Sequence, residues 1–279
     1  MAAEERSELW FENRPARGWW PSLRPAELWE FREVAYHLAL RDLKLRYKQT
    51  VVGVAWVVLQ PVIGALIFTL TLGNLIDVPS DGIDYLVFVL AGLVGWTFVS
   101  SGTNAAAESL VDNRDLVTKA YFPRILAPIA AVLPGLVDLL PGLVVLAFVM
   151  VIHDTAPGVA LLTLPLWIIA ALGVALGVGL WLGALNALYR DVRYTLGFIL
   201  QIWLFASPVV FPSSLITGPE RTLYAMNPMV GVIDGLRWSL VDGPAPPAAD
   251  LVSLGAGVAV LLGGIVYFQR AGRQIADRI

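Results

Sequence analysis

Six long apolar stretches divide this chain. Five carry no charge: Val51–Ile76, Tyr85–Ala107, Thr155–Tyr189, Thr195–Pro219 and Leu251–Gln269. The sixth, Ile125–Ile152, carries one, Asp138. Each approaches or exceeds the roughly 20 residues a helix needs to cross the hydrocarbon layer. The longest overshoots a bilayer, so its ends are expected to be loop or strongly tilted helix. Short alternating segments, the mark of a membrane β-barrel, do not occur. The pattern predicts an all-α polytopic membrane protein with six transmembrane helices.

Two polar stretches are also helical in pattern. In Glu27–Gln49 the residues Glu30, Glu33, His37, Arg41, Lys44 and Lys48 recur at steps of three and four. Trp29, Tyr36, Leu40, Leu43 and Tyr47 mark an apolar face at the same period. This amphipathic helix suits either a membrane surface or packing on the protein's own loops. In Asn227–Val241, Asn227 is placed as an N-cap and Pro228 as the first helical residue. Met229, Val232, Ile233, Leu236 and Leu240 form one face, and Asp234 and Arg237 are spaced to pair. That helix should lie in the interface or dip into it. Pro208 and Pro212 should bend or end the fifth span. Pro244–Pro247 reads as a turn, Met1–Ala26 as irregular, and Asn113 as the cap of a short helix that Pro123 ends.

Charge adds the orientation. Of the 19 Lys and Arg residues, nine precede the first span, three fall in 108–124, two in 190–193 and three after Gln269. Only Arg221 and Arg237 fall on the other side. This asymmetry puts both termini in the cytoplasm. Residues 1–50 hold nine basic and eight acidic residues and no apolar core of signal-peptide type. The net charge of −3 hides this segregation, and 57% hydrophobic residues with a mean hydropathy of +0.71 fit a membrane domain.

Chemistry is sparse. Without cysteine there are no disulfides, thiolate metal sites or Cys nucleophile. No GxxxxGK[ST], HExxH or GxSxG motif occurs, and no metal site is expected. Asp138 is either a substrate or proton site or a structural carboxylate bonded to Ser, Thr or Asn side chains or to backbone freed by Pro134 and Pro141. Trp96, Phe98, Trp203, Phe205 and Phe211 sit in or at the ends of spans and are conduit or gate candidates; the other aromatics fit interface anchoring. Gly173-x-x-x-Gly177 and Gly179-x-x-x-Gly183 permit close helix contact.

Four segments together carry a family resemblance: RDLKLRYKQTVVGVAWVVLQP (41–61), NRDLVTKAYFPR (113–124), YRDVRYTLGFILQIWLFASPVVFP (189–212) and NPMVGVIDGLRWSL (227–240). In order and span count the chain resembles the permease subunits of type-2 ABC exporters for polysaccharides and lipid-linked glycans, such as O-antigen, teichoic acid or galactan. The resemblance runs from about residue 30 to the end and leaves residues 1–26 without a role. It implies a cytoplasmic segment and interface helix in 1–50 and a six-span domain in 51–279 of a bacterial plasma-membrane protein. It implies a homodimer bound to two copies of a separate ATPase subunit. The permease itself would hold no cofactor and catalyse nothing, with ATP and Mg bound by that subunit. Asp112, Asn113, Arg114, Asp115, Leu116, Lys119, Tyr121 and Phe122 would form the ATPase-coupling loop. Residues 219–250 would form short exoplasmic re-entrant helices. The substrate would be a glycan on a polyprenyl diphosphate, with Arg41, Lys44, Arg46 and Lys48 at its headgroup; ordinary positive-inside anchoring explains the same cluster. A small-lipid or drug exporter, an ion-coupled secondary transporter and a membrane-embedded transferase are the competing readings. No nucleic-acid partner is expected.

Overall fold

The computed structural model describes residues 25–48, 53–114, 123–189 and 191–278. Among these the fold is helical, with no strand. A short helix α1 (Pro25–Glu30) leads into α2 (Arg32–Lys48), and α3 (Gly53–Phe68) continues as a π-helical turn, Thr69–Leu75. Then come α4 (Tyr85–Asp112), α5 (Leu126–Val132), α6 (Pro134–Ile152) and α7 (Leu164–Leu188), the last preceded by a 3-10 turn, Val159–Thr163. Finally come α8 (Asp191–Phe205), α9 (Pro219–Tyr224), α10 (Pro228–Val241) and α11 (Asp250–Arg278). Among the described residues, five stretches are long and apolar enough to cross a membrane: Val58–Leu75, Tyr85–Asp112, Leu126–Ile152, Val159–Leu188 and Asp250–Ala271.

α4 is the axle of the bundle. Val87 through Trp96 are all buried, and α3, α5, α6, α7 and α10 pack around it. Asp84 starts it by accepting from the Leu86 and Val87 amides at 2.9 and 3.4 Å. At 28 residues it is about 42 Å long, more than a hydrocarbon layer, so its last turns stand clear of the apolar slab. Residues 108–112, expected in a loop, are therefore helix. Asn113 closes α4, its amide N–H bonded to Ser109 O at 3.2 Å, and the short helix it was expected to cap falls largely outside the described residues. Asp115, Leu116, Lys119, Tyr121 and Phe122 lie outside the described residues, as does the segment 1–24.

The outward faces of the peripheral helices carry exposed Leu66, Val144, Phe148, Leu162, Ile169 and Leu262. Such a surface suits lipid. A second core closes the end of the bundle that holds α2: Ala35 and Leu38 pack with Leu110, Leu126, Leu180 and Phe268.

Three expectations change. The predicted helix 27–49 is interrupted at Phe31, and its packed face is Ala35 and Leu38; Trp29 and Tyr36 stay exposed. The stretch Thr195–Pro219 is not one helix, because α8 stops at Phe205 after 15 residues, about 22 Å. Pro208 cannot donate to the helix, and the chain turns there. The expected helix of 227–241 forms with Asn227 as cap, its side chain accepting from the Met229 amide at 3.0 Å. It is buried on nearly every face between α4, α7 and α11, instead of presenting a broad side to an interface.

The two glycine pairs serve two different neighbours. Gly177 meets α11, where an added Cβ would sit 2.8 Å from Leu261 Cα. Gly179 and Gly183 meet Ala106 and Ala107 of α4. Gly177→Val should lower the melting temperature of the detergent-purified protein by several degrees, the scale of an overpacking cost of roughly 1–3 kcal/mol. Gly255→Val, where an added Cβ has open space, should not. Equal melting of both variants would show that the α7–α11 contact is loose.

Candidate functional site

A cavity of about 680 Å³ lies between α2, α3, α4, α5 and α6. Its walls follow from the periodicity of α4. Thr97, Ser101, Asn104, Glu108 and Asp112 recur at steps of four and three, so they share one face, and all five line the cavity. Between Val94 and Asn113 that wall runs for about 28 Å. Trp56 and Gln60 of α3 and Leu139 and Gly142 of α6 face it from the other side. The stripe was readable from sequence as polar positions at helical spacing inside an apolar span; average hydropathy hides it.

The mouth is basic. Arg41 and Arg46 line the cavity, and Lys44 and Lys48 line a neighbouring shallow site with His37, Leu40 and Leu45. Arg41 binds Asp42 at 2.6 Å and donates to Asn113 Oδ1 at 2.5 Å. Asn113 in turn donates to Ser109 O at 2.8 Å, so the end of α4 is tied to α2. Arg46 pairs with Asp138, and the Tyr47 hydroxyl donates to the same carboxylate. The expected partners of Asp138, small polar side chains or freed backbone, are replaced by two residues of α2. Burial and then the Asp138 carboxylate push the Tyr47 phenol up to about 12, which keeps it a donor. Arg193 reaches Glu108 at 3.7 Å and Asp112 at 3.6 Å, joining the start of α8 to the end of α4. Arg114 is exposed.

Of the five expected conduit aromatics, Phe98 lines this cavity. Trp96 and Trp203 meet edge to face at 5.5 Å. Trp203 Nε1 also donates to Asn227 Oδ1 at 2.9 Å, and Asn227 donates to Ala206 O at 2.9 Å. Asn227 thus caps α10 and closes α8 together. Phe211 packs on Tyr224 at 6.4 Å, and Phe205 is exposed. The five do not form one lining.

The far end of the bundle holds a second polar cluster. Arg237, buried, donates from Nε to Phe88 O at 3.2 Å and from its two Nη atoms to Pro208 O and Val209 O at 2.5 Å each. Its guanidinium lies 3.5 Å over the Phe88 ring. Gly92 leaves the space: a Cβ there would meet Arg237 Nη2 and Val209 O at 2.7 Å. Burial lowers the Arg237 pKa to about 10, so it stays charged at neutral pH. The expected Asp234–Arg237 pair forms at 4.0 Å. Arg221 also takes Asp234 at 3.3 Å and Asp250 at 2.5 Å, and Ser213 donates to Asp234. Burial pushes the Asp234 carboxyl up, against the pull of Ser213 and both arginines. Among the described residues no group of His, Cys, Asp and Glu could hold a metal ion.

A helical membrane bundle with a polar-walled cavity under a surface helix is the build of a permease. The chain belongs to the ABC-2 type transporter family, which it matches over residues 34–241. It is similar to the O-antigen export system permease protein RfbA of Myxococcus xanthus, 27% identical over 238 residues, covering 85% of this chain and 91% of that one. An O-antigen export system permease protein RfbA of Klebsiella pneumoniae is 22% identical over 240 residues, with 85% and 91% covered. The polysialic acid transport protein KpsM of Escherichia coli is 23% identical over 207 residues, with 74% and 80% covered.

Arg237→Leu would leave three carbonyls without their donor. It should destabilise the fold by at least about 3 kcal/mol and sharply reduce monodisperse yield on size exclusion. Arg237→Lys, with three donors on an ammonium, should recover part of that yield. Wild-type yield and melting for Arg237→Leu would remove this residue from the account.

Proposed function

We propose that this chain is the membrane permease of an ATP-driven exporter that moves a polysaccharide on a polyprenyl diphosphate carrier outward across the bacterial plasma membrane. The observation that carries the reading is the cavity: a mouth under a surface helix that presents Arg41 and Arg46, leading to a wall of hydroxyl, amide and carboxylate groups inside the bundle. A glycan offers hydroxyls, and a polar wall can exchange hydrogen bonds with them in many registers. The family membership and the polysaccharide export named for its relatives support the same reading.

The finer architecture belongs to this proposal. α8 serves as the fifth of six spans, shortened because α9 and α10 re-enter from the outer side. Trp96, Trp203, Phe205 and Phe211 stand nearest that outer end. The end that holds α2 faces the cytoplasm, with both termini there. Two copies of the chain assemble with two copies of an ATPase subunit, which binds ATP and Mg. Residues 112–122 form the coupling loop, and the tie from Asn113 to Arg41 links it to the interface helix. An ion-coupled transporter needs a carboxylate able to exchange protons, whereas Asp138 is engaged by Arg46 and Tyr47.

The complex, reconstituted in proteoliposomes with its ATPase, should move lipid-linked glycan into the lumen only with ATP and Mg. Asn104→Leu should cut that rate by about tenfold or more while assembly is retained, because an apolar side chain interrupts the polar wall. Transport of a small lipid or drug but not the glycan would overturn the substrate reading. Orientation is tested by single cysteines in this cysteine-free chain. An impermeant thiol reagent applied outside should label Ser80→Cys and Ala245→Cys but not Arg114→Cys at an exposed position beyond α4; labelling at 114 would reverse the topology.

A further inference from the structure

Asp138 is the one carboxylate of the third apolar stretch, and it does not face this cavity alone. Its side chain is 10% exposed, and its partner Arg46, 37% exposed, reaches it from the edge. Arg46 and Asp138 both line the cavity, whereas Tyr47, also bonded to Asp138, is not among the lining residues. The second arginine of the mouth, Arg41, is likewise held by protein oxygens, those of Asp42 and Asn113. Arginines at the entrance of a cavity are thus bound to internal acceptors. A guanidinium fork binds carboxylate and phosphate with the same donors.

We propose that Asp138 is a stand-in anion that holds Arg46 in place until the phosphate of a lipid headgroup displaces it. This rests on the export reading above and adds what selects the headgroup. A bare basic cluster at a membrane surface attracts every anionic lipid. An internal carboxylate weakens the binding of every anion by the same factor, so that a weakly held phosphodiester such as phosphatidylglycerol falls below occupancy while a more highly charged diphosphate stays bound. Tyr47 keeps its hydrogen bond to Asp138 after Arg46 leaves, so the carboxylate is not stranded in the bundle.

The test uses the full-length chain in phosphatidylcholine nanodiscs, titrated with undecaprenyl diphosphate, undecaprenol, phosphatidylglycerol or inorganic diphosphate. Trp56, at the cavity wall, provides a fluorescence readout. Undecaprenyl diphosphate should bind the wild type, and Arg46→Gln should weaken it about tenfold. Asp138→Asn should tighten it about tenfold and admit phosphatidylglycerol, which the wild type refuses. The double variant should match Arg46→Gln. Asn keeps one acceptor oxygen, enough for the Tyr47 hydroxyl, while its amide N–H2 no longer accepts from Arg46, and Asp138→Ser serves as a second neutral variant if Asn is not monodisperse. Unchanged or weaker diphosphate binding in the neutral variants would overturn the competitor role and leave the export reading standing. Undecaprenol binding the wild type as tightly as the diphosphate would overturn the anion site and the headgroup reading together. Inorganic diphosphate binding as tightly as the lipid would support the anion site and make a free anion, not the carrier, its ligand.

Discussion

The far end of the bundle depends on one buried guanidinium. Where α8 ends short of the membrane's width, the chain passes through Pro208 and Val209 without a helical ladder, and backbone groups there need partners. Arg237 supplies three donors at once, to Phe88, Pro208 and Val209. That ties α10 to α4 and to the break after α8. The charge itself is compensated by the Phe88 ring and by Asp234, which Arg221 links onward to Asp250 at the start of α11. Removing one member leaves the others buried and unpaired, which is why such a network acts as a unit.

The opposite end is organised by α2. Its residues Ala35 and Leu38 face the core, and its arginines reach over the cavity mouth. Arg41 touches Asn113 at the end of α4 and Arg46 touches Asp138 of α6, five residues apart on one helix. A displacement of the end of α4 therefore reaches the cavity entrance through a single element. Along α4 the same helix that forms the core turns its polar stripe into the cavity, so packing and path share one scaffold.

Much of this was legible in the sequence. Five of the six apolar stretches hold a helix long enough to cross a membrane, Asn227–Pro228 opens a helix as its residue types demand, and the glycine pairs mark close contacts. What was not legible depended on distant partners. Asp138 finds Arg46 and Tyr47 about ninety residues away, and no local pattern records that pairing. The packed face of α2 is set by the space beneath it, so bulky Trp29 and Tyr36 lose to Ala35 and Leu38. The indole N–H of Trp203 serves the Asn227 cap, a bond that its depth in an apolar stretch does not record. The polar stripe of α4 was visible in principle, but a charge-free apolar run invites averaging and not a search for period.

The central claim is that substrate enters the cavity beside α4. A photo-crosslinking amino acid at Asn104, in the assembled complex, should attach to lipid-linked glycan, while the same group at lipid-facing Val144 should attach to phospholipid only. Glycan captured at Val144 and not at Asn104 would contradict it.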